Sequence, residues 1–231
     1  MALNSSKNID HGNYIPSPIL PGMKVADGEH IRKVFVLSAD DVAAGAEVAE
    51  RVEATVGSTG SPTTKVTEIP SNIEVGADAA LDLTVIVLPG VSARIPLTID
   101  LTGAHSEVRL SGIYLCSGHD EVTFDITMHH RTGDCRSRQT FNGLATGEAK
   151  CGFFGKIVIA PEAQRTEAVG KLNEDEQFYM RSRGIPEEEA KVLQMISFVA
   201  PVLENIPEDS TDGTPARTAV AELVENAIRG L

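Results

Sequence analysis

This chain of 231 residues has no tryptophan, only three cysteines, and aromatic side chains at 4% of its positions. A core with so few rings must be built from Val, Ile, Leu and Ala, which suits closely stacked strands. An odd number of cysteines argues against a disulfide framework and favours a reducing compartment, so we expect a cytoplasmic protein. No apolar run approaches the roughly 20 residues of a membrane span, and no secretory signal is evident. We therefore expect neither membrane insertion nor secretion.

Positive charge is also scarce. The 20 Lys and Arg stand against 33 Asp and Glu, which gives a net charge of −13 and a pI of about 4.9. Such a field repels phosphate backbones, so nucleic-acid binding is not expected. The hydrophobic content of 42% is ordinary for a globular protein, and the length suits one or two domains.

What the chain does contain is a succession of short Val-, Ile-, Leu- and Thr-rich runs. They predict strands over 31–37, 81–88, 93–101, 108–116, 121–129, 139–145 and 151–160. Because no helical pattern separates the later runs, they fit either a sandwich of hairpins or a parallel β-helix. The Asn142-Gly143 dipeptide falls inside a run instead of between two, and cysteine spacings of 19 and 16 residues fit coils of roughly 20 or more residues. We favour the β-helix slightly, preceded by an extended arm over 1–28.

The last quarter of the chain has helical periodicity. Asn173 and Thr214 are suitable N-caps, and Gly184 and Gly230 are placed to end helices. The pattern predicts helices over 173–183, 186–205 and 214–229. We expect these helices to pack on the end of the β-domain and on each other; the alternative is that one apolar stripe docks a partner.

Four residues are candidate metal ligands: Cys116, His119, Cys135 and Cys151. Thiolate and imidazole suit zinc, iron or an iron–sulfur cluster. No paired C-x-x-C units occur, so the alternative that Cys116 and Cys151 are small buried apolar residues stays open. Two arginines follow Cys135 closely, and nearby cations favour the thiolate, which predicts that Cys135 is the most reactive thiol.

Enzymatic motifs are missing from the sequence. There is no G-x-S-x-G, no P-loop and no G-x-G-x-x-G. The run from Ser117 to Asp120 fits a turn better than a hydrolase site, and Asp100, Asp120 and Asp125 more often cap turns than form a lyase centre. We expect a protein that is not an enzyme.

Several sequence blocks in the second half occur in the order of a known family. They are Leu110-Ser-Gly-Ile-Tyr-Leu, His129-His130, Cys135-Arg-Ser, Phe154-Gly-Lys-Ile-Val-Ile, Ala163-Gln-x-Thr166, and Phe178-Tyr179 followed by Arg181-Ser-Arg183-Gly-Ile. In this order they resemble the SufB/SufD family, scaffold subunits of the Suf iron–sulfur cluster assembly machinery. The resemblance implies a mainly β fold, with a right-handed parallel β-helix over 29–168 and a small α-helical region over 169–231.

The resemblance also implies partners. The C-terminal helices of the family contact SufC, an ABC-type ATPase, and the β-helix pairs with another SufB/SufD-like subunit, here either a paralogue or a second copy. The candidate partner-binding residues are Phe178, Tyr179, Arg181, Arg183, Leu193, Ile196, Val220 and Leu223. No resident cofactor is predicted; the group that the family would handle is an iron–sulfur cluster in transit.

One departure from the family is large. Members carry further β-coils between the Gln-x-Thr turn and the Phe-Tyr helix, with a Cys or His associated with cluster assembly, whereas here Thr166 runs almost directly into Leu172. No residue of this chain can inherit that role. The leading hypothesis is a shortened SufD-like scaffold that binds the ATPase; the alternatives are a Cys/His metal-binding protein and a structural β-helix homo-oligomer. A shortened β-helix exposes new end strands, which favours self-pairing.

Overall fold

A computed structural model describes residues 22–39, 69–163, 166–169, 187–208 and 216–231. The strands are β1 (Met23–Val25), β2 (His30–Leu37), β3 (Asn72–Val75), β4 (Ala80–Val87), β5 (Ala93–Leu101), β6 (Glu107–Cys116), β7 (Glu121–His130), β8 (Arg136–Ala145), β9 (Lys150–Ile159) and β10 (Glu167–Val169). The helices are α1 (Glu187–Leu203) and α2 (Arg217–Arg229).

The strands form two parallel sheets that alternate along the chain. The odd sheet has the order β1-β3-β5-β7-β9, and the even sheet has the order β10-β8-β6-β4-β2. Each coil contributes one strand to each sheet, and the result is a parallel β-solenoid. This confirms the predicted β-helix and excludes the hairpin sandwich, since Asn142-Gly143 lies within β8.

Successive coils stack in register, but the coils are longer than the cysteine spacings indicate. Lys150 stacks on Glu121, 29 positions earlier in the chain. The intervals of 19 and 16 residues between the cysteines therefore do not bring them to equivalent positions. The interpretation of those spacings as a coil repeat is wrong.

The corners between strands repeat a left-handed backbone residue from coil to coil. Between odd and even strands this residue is Gly28, then Asp78, then His105, with φ values of 71°, 52° and 59°. At the opposite corner Gly118 and Gly147 have φ values of 57° and 68°, and the two turns are joined by a hydrogen bond from the Glu148 amide to the Gly118 carbonyl. Glycine adopts this conformation without a Cβ penalty, and short polar residues tolerate it.

The space between the sheets is filled by aliphatic side chains with a few rings among them. Tyr114, Phe124, Phe141 and Phe153 form a chain of ring contacts across the interior, with centroid separations of 5.7, 5.0 and 4.6 Å. Alternate residues of each strand point into this space, so burial of one face of every coil holds the coils together.

The sequence predicts the longer strands closely and misses the shortest ones. The run 93–101 coincides with β5, and most others agree within one or two residues, but β8 begins three residues before the predicted 139. β1, β3 and β10 have only three or four residues, too few to show periodicity. β1 lies within the stretch predicted as an extended arm, where Val25 is fully buried.

Candidate functional site

The two helices cover the apolar half of the outer face of the even sheet. Val34, Ile86 and Ile113 of the sheet pack against Val199 of α1 and Val224 of α2 in a second core outside the solenoid. The predicted helices over 186–205 and 214–229 therefore correspond to α1 and α2, packed on the β-domain as expected. The third predicted helix, over 173–183, lies outside the described residues.

Polar contacts fix the helices to the sheet and to each other. The Asn205 side-chain amide donates to Ser111 Oγ at 3.1 Å, and the Asn142 side-chain amide donates to the Phe198 carbonyl. Arg217, at the start of α2, donates to the carbonyls of Ile206 and Glu204, just beyond the end of α1, at 2.8 and 3.0 Å. These bonds satisfy carbonyls that a helix end leaves unpaired, and they join α2 to α1.

The predicted partner-binding residues on these helices do not form one surface. Val220 is buried against the sheet, Leu193 and Ile196 are half-buried, and Leu223 is 49% exposed. The outward side of α1 instead presents Phe198, 39% exposed, which the sequence analysis did not single out. Helical periodicity shows how wide an apolar stripe is. It does not show which edge of the stripe faces the sheet, so it does not separate the buried residues from the exposed ones.

The other four predicted partner-binding residues, Phe178, Tyr179, Arg181 and Arg183, lie outside the described residues. The helical surface that the structure describes is therefore the part contributed by α1 and α2.

Two of the candidate metal ligands come together inside the solenoid. Cys116, at the end of β6, is fully buried, and Cys151, near the start of β9, is half-buried beside it. Burial raises the pKa of the Cys116 thiol, and the neighbouring Cys151 raises it further. At neutral pH Cys116 is therefore a protonated thiol, which is a poorer nucleophile than a thiolate.

Cys135 lies elsewhere and points inward. It is fully buried, Ser106 Oγ donates to its sulfur at 3.3 Å, and its thiol lies 3.3 and 3.4 Å from the carbonyls of Thr132 and Gly103. Burial keeps reagents in solution away from this sulfur, which is unfavourable for the predicted reactivity of Cys135. Its two arginine neighbours in the sequence lie on the outer face of β8, so the sheet separates their charges from the sulfur.

His119, the fourth candidate ligand, sits on an exposed turn. Its side chain is 85% exposed, and its Nδ1 lies 3.3 Å from Glu148 Oε2. Across the described ranges, no three His, Cys, Asp or Glu side chains lie close enough together to hold a metal ion. The fold thus pairs Cys116 with Cys151 and keeps His119 and Cys135 apart from them.

The last long strand of the odd sheet leaves a second apolar surface open. Phe153, Phe154, Ile157 and Ile159 of β9 are 40%, 66%, 43% and 51% exposed. β9 is an edge strand, since among the described residues it pairs only with β7. Within the described ranges no strand pairs with the outer edge of β9, and we call this edge with its exposed apolar side chains the open end of the solenoid.

None of the described helices is both long enough and apolar enough to cross a lipid bilayer. The described surfaces with large exposed apolar side chains are the helical surface and the open end.

Two segments of the chain match the model of one protein family. Residues 54–169 and 167–198 match the family described as SUF system FeS cluster assembly, SufBD core domain. The two matched segments meet at 167–169, which is where the sequence departs from the family order.

Individual relatives are distant and longer. The chain is 22% identical over 174 residues to an iron–sulfur cluster assembly SufBD family protein of Mycobacterium leprae, covering 57% of this chain and 44% of the relative. It is 33% identical over 80 residues to a SufBD family protein of Pyrococcus horikoshii, covering 34% and 17%. It is 20% identical over 158 residues to the iron–sulfur cluster assembly protein SufD of Escherichia coli, covering 53% and 37%.

The aligned region thus spans less than half the length of these curated relatives. The family match nevertheless extends over more than half of this chain, and the parallel solenoid with C-terminal helices agrees with it. The chain belongs to the SufBD family of iron–sulfur cluster assembly proteins.

Proposed function

We propose that this chain is a non-catalytic scaffold or accessory subunit of cytoplasmic iron–sulfur cluster assembly, which binds a SufC-like ABC-type ATPase through its helical surface. The observation that carries the proposal is a pair of large apolar side chains, Phe198 and Leu223, exposed on helices that are otherwise fixed to the sheet. A half-exposed Phe or Leu on a rigid helix supplies the kind of anchor around which protein interfaces form.

The open end is the second part of the proposal. An edge strand of ten residues with exposed Phe and Ile side chains is a template for pairing with another strand. We propose that it pairs with a second SufBD-like subunit, either a paralogue or another copy of this chain. The same observation favours the alternative function, a structural homo-oligomer that has lost its role in cluster assembly.

The experiment is co-expression with the SufC-type ATPase of the same host, followed by size-exclusion chromatography with light scattering. Two double variants test the two surfaces: Phe198→Asp with Leu223→Asp on the helices, and Phe154→Asp with Ile159→Asp on the open end. We expect the first to lose the ATPase and keep subunit pairing, and the second to do the reverse. Each is the control for the other, and circular dichroism should show that both remain folded.

The outcomes separate the alternatives. If the wild-type chain forms a stable dimer but never co-elutes with the ATPase, the homo-oligomer is correct and the ATPase-binding scaffold is not. If the helix variant still binds the ATPase as tightly as wild type, the described helical surface is not the docking site. Val220 is left out of the variant because its burial would make an Asp there unfold the helix layer.

A further inference from the structure

The polar half of the even sheet's outer face concentrates positive charge in an otherwise acidic protein. Four residues occupy one register row across adjacent strands: Arg32 on β2, Asp82 on β4, Arg109 on β6 and Arg138 on β8. Arg136 lies two positions before Arg138 on the same side of β8. Four guanidinium groups thus gather on one face of a chain whose net charge is −13.

Two carboxylates of this face, Asp82 and Glu107, are engaged by basic side chains of β2 and β6. Asp82, with a side chain only 10% exposed, accepts from Arg32 at 3.3 Å and lies 3.1 Å from His30 and 3.7 Å from Arg109. Glu107 lies 3.5 Å from Arg109. Arg109 therefore shares Asp82 with Arg32 and also lies close to Glu107.

Arg136 and Arg138 make no ion pair or side-chain hydrogen bond with the part of the chain that the structure describes. Arg138 has Arg109 as its register partner on one side and Val169 on the other, so no acid flanks it. Arg136 lies between the register positions of Glu107 and Glu167. Like charges directly opposite each other on neighbouring strands, about 4.8 Å apart, destabilise a sheet unless something compensates them.

A cavity of about 310 Å³ lies over these side chains. Its wall includes Glu107, Arg109, Arg136 and Arg138, with Asn205 from the segment after α1 closing one side. That volume is at the lower end of the range for small-molecule sites and leaves room for more than a single inorganic ion. Guanidinium groups bind phosphate oxygens through paired, charge-assisted hydrogen bonds. Planar guanidinium groups carried by two neighbouring strands suit this kind of binding.

We propose that this arginine pocket, formed by Arg109, Arg136, Arg138 and Asn205, binds the phosphate or pyrophosphate group of a small molecule. The anion supplies negative charge to a pocket whose described wall carries three arginines and one carboxylate, Glu107. A small ligand fits better than a nucleic acid, because the overall charge repels an extended polyanion while a pocket can hold a compact one. The proposal is independent of partner binding by the helices and the open end.

Pyrophosphate is the probe. The wild-type chain is titrated by isothermal calorimetry at constant ionic strength, alongside Arg136→Gln with Arg138→Gln. The matched control is Arg94→Gln, an exposed arginine on the odd sheet that pairs with Asp125 at 2.6 Å. We expect saturable binding by wild type and control, and at least a tenfold weakening in the double variant. Thermal melting is the second readout: pyrophosphate should raise the midpoint of wild type and leave that of the double variant unchanged.

Two results would contradict the proposed binding site. One is the absence of saturable pyrophosphate binding to wild type at millimolar concentration; the other is equal binding by wild type and the Arg136→Gln/Arg138→Gln variant. Comparing inorganic phosphate, pyrophosphate and ADP then defines the ligand. Tighter binding of ADP would identify a nucleotide, and equal binding of pyrophosphate and ADP would show that the phosphates alone are recognised.

Discussion

β7 and β9 are neighbouring strands of the odd sheet, and both direct alternate apolar side chains toward the interior. Phe153 of β9 is the register partner of Phe124 in β7, and Ile159 is the partner of His130. The two β7 side chains are 0% and 1% exposed, whereas the two on β9 are 40% and 51% exposed. An inward-facing position in a solenoid is therefore buried only where another coil continues over it.

Equivalent inward-facing positions of β7 and β9 therefore contribute different amounts to the free energy of unfolding. Inner residues of β7 are covered from both sides, and truncation there leaves a cavity that neighbours cannot fill. Inner residues of β9 are covered from one side only, so truncation there removes less buried area and water occupies the space.

The largest expected effect comes from comparing Phe124→Ala with Phe153→Ala. Phe124 touches rings on both sides, Tyr114 and Phe141, while among the described residues Phe153 touches only the Phe141 ring. We expect Phe124→Ala to lower the free energy of unfolding by about 3–5 kcal/mol and Phe153→Ala by about 1–2 kcal/mol, measured by urea denaturation.

Equal losses in the two variants would contradict the difference between covered and open coils. They would mean that the open end is closed in solution, for example by a second subunit. Repeating the measurement over a range of protein concentrations tests this, because a dimer makes the loss at Phe153 depend on concentration.

A smaller effect is expected from adding a methyl group to matched glycines. A Cβ on Gly143 in β8 would collide with the ring of Tyr114 in the neighbouring coil, whereas a Cβ on Gly155 in β9 would lie 2.8 Å from the edge of the partly exposed Phe153 ring. The Tyr114 ring is held between strands, and the Phe153 ring is free to turn outward. We expect Gly143→Ala to cost about 1–3 kcal/mol and Gly155→Ala to stay within about 0.5 kcal/mol of wild type.

Thermal melting of the two glycine variants provides the check. A stable Gly143→Ala protein would show that the Tyr114 ring moves easily and that the covered coil is looser than its packing indicates.

The same comparison explains which features the sequence could predict. Alternating apolar residues predict the long strands, because alternation is a local property of each strand. Whether an inner residue such as Phe153 is buried depends on a coil elsewhere in the chain, and no local pattern carries that information. The same holds for Leu223 and Val220, whose spacing is equally helical although only Val220 faces the sheet.

Closeness in the sequence also fails to predict which side chains lie together at the candidate site. Cys135 precedes Arg136 directly, yet the thiol points into the solenoid and the arginine lies on the outer face. Conversely, Arg109 and Arg138 are far apart in the sequence and direct neighbours in the sheet. The arginine pocket follows from the coil length of 29 residues, which the cysteine spacings did not indicate.

The smallest expected effect concerns pH and the pair His130 and Ile159. His130 is buried, its Nε2 lies 2.9 Å from Ser137 Oγ, and its Nδ1 has no hydrogen-bond partner among the described residues. Burial lowers the pKa of His130 below its ordinary value, because the charged ring loses its hydration. Below pH about 6.5 the unfolded chain binds a proton at this position that the folded chain resists, so acidification destabilises the fold.

We therefore expect wild type to lose stability relative to His130→Gln as the pH falls from 7.5 to 5.5, by at most about 1.4 kcal/mol per pH unit below pH about 6.5. Urea denaturation at each pH measures it, and the other histidines cancel because both proteins carry them. An Ile159→His variant sharpens the comparison, since a histidine at the half-exposed position keeps its hydration and should add no comparable pH dependence. Parallel stability curves for wild type and His130→Gln would show that water reaches His130, and that the coil carrying β7 is as open as the coil carrying β9.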